Sequence, residues 1–125
     1  MTHQELKKKR MLTFFIEAAQ EISDEEGIDA ITLRKVADKA GYNGATLYNY
    51  FKDLDHLILF ASIKYLRLYN LEVVRQLDLC ATGSERFTTM WKVFCNVSFQ
   101  HPQPFYNIFF NKHSDDLEEI SAQYY

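Results

Sequence analysis

The sequence predicts an all-α fold, and three observations carry that expectation. Apolar side chains recur at three- and four-residue spacing through most of the 125 residues. No run alternates apolar and polar residues with the period of two that a half-buried strand requires. Gly and Pro total only six residues and fall where the helical runs begin or end. Ten Phe, eight Tyr and an apolar content of 47% exclude a disordered chain. The length suits one main core rather than a multidomain enzyme.

The elements follow in order. Leu12, Phe15, Ile16, Ala19 and Ile22 form one stripe, so a first helix is expected from Gln4 to Glu26, with Gly27 as a left-handed stop. Thr32 can cap a second helix of about eight residues whose apolar face is Leu33, Val36, Ala37 and Ala40, ended by Gly41. Asn43 can cap a third, Gly44 to Phe51, with Leu47 and Phe51 inward and Ala45, Thr46 and Asn49 outward. Asp53 caps a fourth, whose stripe of Leu54, Leu57, Ile58, Ala61, Tyr65 and Leu68 continues to about Leu79, a rod of roughly 40 Å. Ser84 is expected to cap a fifth helix with Phe87, Trp91, Phe94 and Val97 or Ser98 inside, stopped by His101-Pro102-Gln103-Pro104. A sixth is expected from Phe105 to Lys112. A seventh begins at Ser114 with Asp115 and Asp116 favourably placed at its positive end, and runs to Tyr125.

The net charge of −3 opposes a polyanion partner until it is resolved along the chain. Glu17 to Asp29 holds six acidic residues and no basic one, whereas Arg34, Lys35, Lys39 and Lys52 face the single Asp38 between Ala30 and Lys52. Lys7, Lys8, Lys9 and Arg10 make a second cationic run, and the local field steers a partner more than the sum does. That run reads equally as a minor-groove or phosphate arm and as a solvated helix end. With Met11 to Ile16 it also mimics the start of a secretory signal, but Glu17 cuts the apolar stretch short. No stretch approaches the roughly 18 apolar residues of a membrane span, so a cytoplasmic protein with no membrane partner is expected. Cys80 and Cys95 have no ligand-spaced neighbours, so neither a metal site nor a disulfide is expected.

Chemistry concentrates in residues 32–51, TLRKVADKAGYNGATLYNYF. Two short helices joined at a glycine, the second polar outside and anchored inside, make the layout of a helix-turn-helix reader of the major groove. An ordinary corner of a helical bundle has the same spacing, so spacing alone leaves both readings open.

The residue string resembles the N-terminal domain of the TetR family of bacterial transcriptional regulators. The resemblance rests on Thr32, Val36-Ala37, Ala40-Gly41, and Thr46-Leu47-Tyr48-Asn49-Tyr50-Phe51 followed by Lys52, Asp53 and Leu57. It covers Leu6 to about Leu68 and is architectural beyond. It implies a three-helix DNA-binding domain at 1–52 and a long connecting fourth helix. Residues 53–125 then form a partial helical domain for effector binding and dimerisation, lacking two further helices, so a truncated molecule is expected. It also implies a repressor that binds a palindromic double-stranded operator as a homodimer and is released by a small-molecule effector, with no cofactor. Thr32 and Arg34 would touch phosphate or a base edge. Asn43, Gly44, Ala45 and Thr46 would meet the major groove, and Tyr48, Asn49, Tyr50 and Lys52 would lie near the backbone. The sequence departs from the family at Leu54, where a Lys is usual, leaving Lys52 or His56 to replace that phosphate contact. It departs again at Ala45, where Gly or Pro is usual.

For an effector, Tyr65, Trp91, Phe94, Phe105 and Phe109 are the candidate pocket residues, although aromatic side chains at this spacing more often form core. None of the four His residues has a catalytic partner in the sequence, and there is no glycine-rich phosphate loop. No enzyme is therefore expected. The rival reading is a helical ligand-binding or protein-interaction module that has lost DNA binding.

Overall fold

The computed structural model describes residues 2–124, with no strand among them. The expected continuation of the last helix to Tyr125 lies outside the described residues. Seven α-helices are α1 (His3–Glu26), α2 (Leu33–Ala40), α3 (Gly44–Leu47), α4 (Leu54–Leu77), α5 (Gly83–Gln100), α6 (Pro102–Phe110) and α7 (Leu117–Tyr124). Short 3-10 turns at Ile28–Ala30 and Ser114–Asp116 lead towards α2 and α7.

Local chemistry explains most of the boundaries. The Thr2 hydroxyl accepts from the Glu5 N–H while the Glu5 carboxylate accepts from the Thr2 N–H, a reciprocal cap on α1. Thr32, Asn43 and Asp53 cap α2, α3 and α4 through their side chains. Gly41 ends α2 at φ 82° and ψ 24°, the left-handed stop that glycine adopts without a Cβ clash. Gly27 differs from its expected form. Its φ of 95° is positive, but its ψ of 159° turns the chain outward into the Ile28–Ala30 turn instead of closing a left-handed cap.

Five further boundaries correct the sequence reading. α3 ends at Leu47, not Phe51. Asn49 and Tyr50 donate to the carbonyls of Thr46 and Leu47 three residues back, so the helix tightens into a turn before α4. α4 stops at Leu77, giving 24 residues and a rod of about 36 Å. Thr82, not Ser84, caps α5 by accepting from the Glu85 N–H. α6 begins at Pro102, because a proline at the first helical position loses no hydrogen bond, so the segment that stops α5 also starts α6. α7 is delayed to Leu117, the Ser114–Asp116 segment being a 3-10 turn.

One contiguous core runs from Met11 to Ile120. Phe15, Ile16, Leu47, Phe51, Leu57 and Phe60 fill the N-terminal end, with Phe51 set edge-on to Phe15 and Phe60. Ile63, Tyr65, Phe105, Ile108 and Ile120 extend it along α4 towards α6 and α7. α5 contributes less than expected. Val93 is its buried residue, and Phe94 and Val97 are half-buried. Phe87 and Trp91, expected inside, are 65% and 57% exposed.

Candidate nucleic-acid interface

The Thr32–Phe51 segment is fixed from beneath. Leu47 is fully buried and Phe51 nearly so, and full burial of each side chain is worth about 1.5–3 kcal/mol. Tyr42, in the turn between α2 and α3, packs at ring-centroid distances of 5.8 Å from Phe15 and 6.1 Å from Phe14. Gly44 sits where α3 meets α2. A Cβ there would stand 3.3 Å from the Leu33 side chain, so its absence lets the two helices meet closely.

The outer surface consists of the residues the sequence singled out. Asn43, Ala45, Tyr48 and Asn49 are exposed, and Thr46 is half-exposed. Thr46 donates its backbone N–H to Asn43 Oδ1 at 3.1 Å, with its own hydroxyl 3.3 Å from the same oxygen. The Asn43 amide group is thus left facing outward while its carbonyl is engaged. Thr32 and Arg34 lie exposed at the start of α2, and the Thr32 oxygen accepts from the Lys35 N–H, leaving its hydroxyl proton free to donate. Tyr50 is half-buried and packs at 6.4 Å from Phe15, so its ring belongs more to the core than to the surface.

The charges are rearranged by the fold in a way that the linear order concealed. Lys35 pairs with Glu26 at 2.9 Å, and Lys39 lies 3.6 Å from both Glu21 and Glu25. The acidic end of α1 therefore neutralises the rear of α2. Arg34 and Lys7 to Arg10 make no ion pair among the described residues, and they carry the uncompensated positive charge of this region. Lys52 is exposed and lies 3.3 Å from Asp116.

His56 does not take the place of the family lysine. It is buried, and its Nδ1 accepts the Lys52 backbone N–H at 3.1 Å. Burial, followed by the neighbouring His113 and Lys52, holds its pKa below the ordinary 6.5, which favours the neutral ring. Leu54 packs against the core. Beside them, Asp53 caps α4 and receives Lys112 at 2.7 Å and His113 at 2.9 Å. Partial burial pushes the Asp53 carboxyl up, but hydrogen bonds from Lys112, the His56 N–H and His113 outweigh it and hold the pKa at about 2. Asn111 Nδ2 adds a bond to the Asp55 carbonyl. Residues 111–116 are thereby fastened to the corner that follows α3, a junction that no local pattern of residues signals.

The five aromatic candidates for an effector separate. Tyr65 is buried, donates its hydroxyl to Asp24 and stacks 4.6 Å from His101, and Phe105 is buried. Phe109 is exposed and stands 6.3 Å from Phe94. Trp91 and Phe94 line a groove of ≈ 320 Å³ together with Tyr69, Phe87 and Met90. Of these, Met90 carried no signal in the aromatic pattern. Among the described residues, no cluster of His, Cys, Asp or Glu is arranged to hold a metal, and no helix is long and apolar enough to cross a membrane.

Residues 15–59 match the family described as bacterial regulatory proteins, tetR family. This stretch is similar to the N-terminal domain of that family, and it runs from the second half of α1 through α2 and α3 into the first turns of α4. No curated protein and no solved structure matched the chain.

Proposed function

We propose that the protein is a transcriptional repressor that binds a palindromic operator as a homodimer through α3 and is released by a small apolar effector. The observation that carries this reading is the exposed tip Asn43–Thr46 mounted on buried Leu47 and Phe51, within the segment that matches the regulator family. A projecting helix whose outer residues are small or hydrogen-bonding can enter a major groove about 12 Å wide. In this reading residues 1–52 read DNA and 53–125 sense the effector and dimerise. The division is functional, since the core is shared.

Asn43, Gly44, Ala45 and Thr46 meet base edges, Gly44 through its backbone and Ala45 by allowing close approach. Thr32, Arg34, Tyr48, Asn49 and Lys52 serve the phosphates, and Tyr50 mainly supports them from the core. Phosphate contacts set the register, whereas base contacts carry the specificity. The groove lined by Tyr69, Phe87, Met90, Trp91 and Phe94 supports an apolar effector, because it opens directly on α4. A ligand that prefers one tilt of α4 changes the separation of two recognition helices, which must match half-sites about 34 Å apart.

The test is selection of duplexes from a random pool by the purified protein, followed by a salt titration of the winner. An enriched palindrome, with log K falling by about 0.9 per neutralised phosphate against log salt, is expected. No enrichment with flat salt dependence would replace this reading by that of an interaction module. The pairing of Lys35 and Lys39 with α1 carboxylates is what favours that alternative.

A further inference from the structure

We propose that the N-terminal half of α1 forms a second DNA-contacting strip, built by Lys7, Arg10, Phe14 and Tyr42, that takes the sugar–phosphate backbone flanking the half-site. This rests on the reading of α3 as the recognition helix, and extends the interface beyond the helix-turn-helix.

Three observations support it. The first is charge. Of the cations in α1 to α3, Lys35 and Lys39 are paired with carboxylates of α1, whereas Lys7 to Arg10 have no ion-pair partner among the described residues. The free positive charge is therefore concentrated on the first turns of α1 and on Arg34. The second is shape. Lys7, Arg10, Leu6, Phe14 and Tyr42 line a groove of ≈ 500 Å³, in which two cations stand beside an apolar floor. Leu6, Phe14 and Tyr42 remain 39%, 46% and 39% exposed there. A partner that alternates anionic and apolar surface fits this lining, and the DNA backbone does so through its phosphates and deoxyribose rings. The third is continuity. Tyr42 directly precedes Asn43, the cap of α3, and its ring lies against Phe14 and Phe15. Phe15 in turn touches Tyr50 and Phe51. The groove is thus joined to the proposed reading head through one packed aromatic cluster.

Docking α3 in the major groove brings this strip to the adjacent backbone, where Lys7 and Arg10 each neutralise a phosphate. Lys8 and Lys9 point elsewhere on α1 and do not line the groove, which provides an internal control with equal charge. The experiment compares wild type, Lys7→Gln/Arg10→Gln and Lys8→Gln/Lys9→Gln on a selected duplex, with and without base pairs flanking the half-sites. Circular dichroism confirms that the helix content of each variant is unchanged.

The expected result is that Lys7→Gln/Arg10→Gln lowers the slope of log K against log salt by about 1.8, from 0.9 for each of two phosphates, and loses the benefit of the flanks. Lys8→Gln/Lys9→Gln is expected to keep both. Equal losses in the two variants would reduce the effect to long-range steering and overturn the strip, as would no loss in either. Failure of wild type to bind any duplex with salt dependence would overturn the α3 reading and the strip with it. A normal wild-type slope with an unaffected groove variant would overturn the strip alone.

Discussion

Asn43 holds the N-terminus of α3 through its Oδ1, and the rest of its amide points to the surface proposed to meet a base edge. Replacing it with Ala therefore removes two things. Loss of the cap costs about 1 kcal/mol, which lowers Tm by roughly 4 °C in a protein of this size. Asn43→Asp keeps the capping oxygen, removes the amide donors and adds a negative charge. The expected outcome is a lowered Tm for Asn43→Ala, a near-native Tm for Asn43→Asp, and altered base preference for both, measured by thermal melting and by repeating the duplex selection. If Asn43→Asp retained the wild-type preference, Asn43 would be a capping residue and the base contacts would move to Thr46. Tyr48 presents a simpler case. It is 54% exposed and its hydroxyl makes no hydrogen bond to the described protein. Tyr48→Phe is expected to leave Tm unchanged while weakening binding to all duplexes alike. A change in preference would shift the register assigned to α3.

At the scale of elements, the sequence disclosed what local chemistry decides and concealed what assembly decides. The caps Thr32, Asn43 and Asp53 and the stop Gly41 were legible because a short polar side chain or a glycine acts within four residues of itself. The end of α3 was not legible. Its apolar pair at Leu47 and Phe51 fits a helix and a tightened turn equally well, since both leave those two side chains buried. The junction between the 52–56 corner and residues 111–116 was equally hidden, being made across some sixty residues of chain.

That junction makes stability depend on pH. His56 binds its proton less readily when folded, so the unfolded chain takes up more protons below pH 6.5 and stability falls as pH drops through that value. Asp53 is shifted in the same direction, at lower pH. Its contribution is present above the ordinary 3.8 and is lost as pH falls towards about 2. Denaturant titrations across pH should therefore show one decline below pH 6.5 and a second below pH 4. His56→Asn, which keeps an acceptor for the Lys52 N–H, is expected to flatten the first and spare the second. An unchanged profile would mean that another group titrates there.

Over the whole molecule, the visible pattern of aromatic residues did not say which would be core. Helical spacing placed Phe87, Trp91 and Phe94 on one stripe, but α5 turns Val93, Phe94 and Val97 inward, rotated from the stripe's centre, with Phe94 against Tyr69 of α4. The consequence is an apolar groove with Trp91 at its rim, 6.4 Å from Phe87 and 6.1 Å from Phe94. Trp91 is the only tryptophan, so its emission reports on that groove alone. Two occupants would desolvate it, and concentration separates them. An apolar effector shifts emission to the blue at fixed protein concentration and saturates with added ligand. A second copy packed on the same exposed face does so on raising protein concentration without ligand, as contiguous apolar surface favours. Phe94→Ala removes the side chain that ties Trp91 to Tyr69 and Phe105. For a half-buried residue the variant costs less than the 3–5 kcal/mol of a full core deletion, so it should fold. Under the effector reading, the variant loses the ligand-dependent shift while its affinity for DNA without ligand is unchanged. If a ligand released wild-type protein from DNA with no change in Trp91 emission, the effector would bind elsewhere and the groove would have no part in the switch.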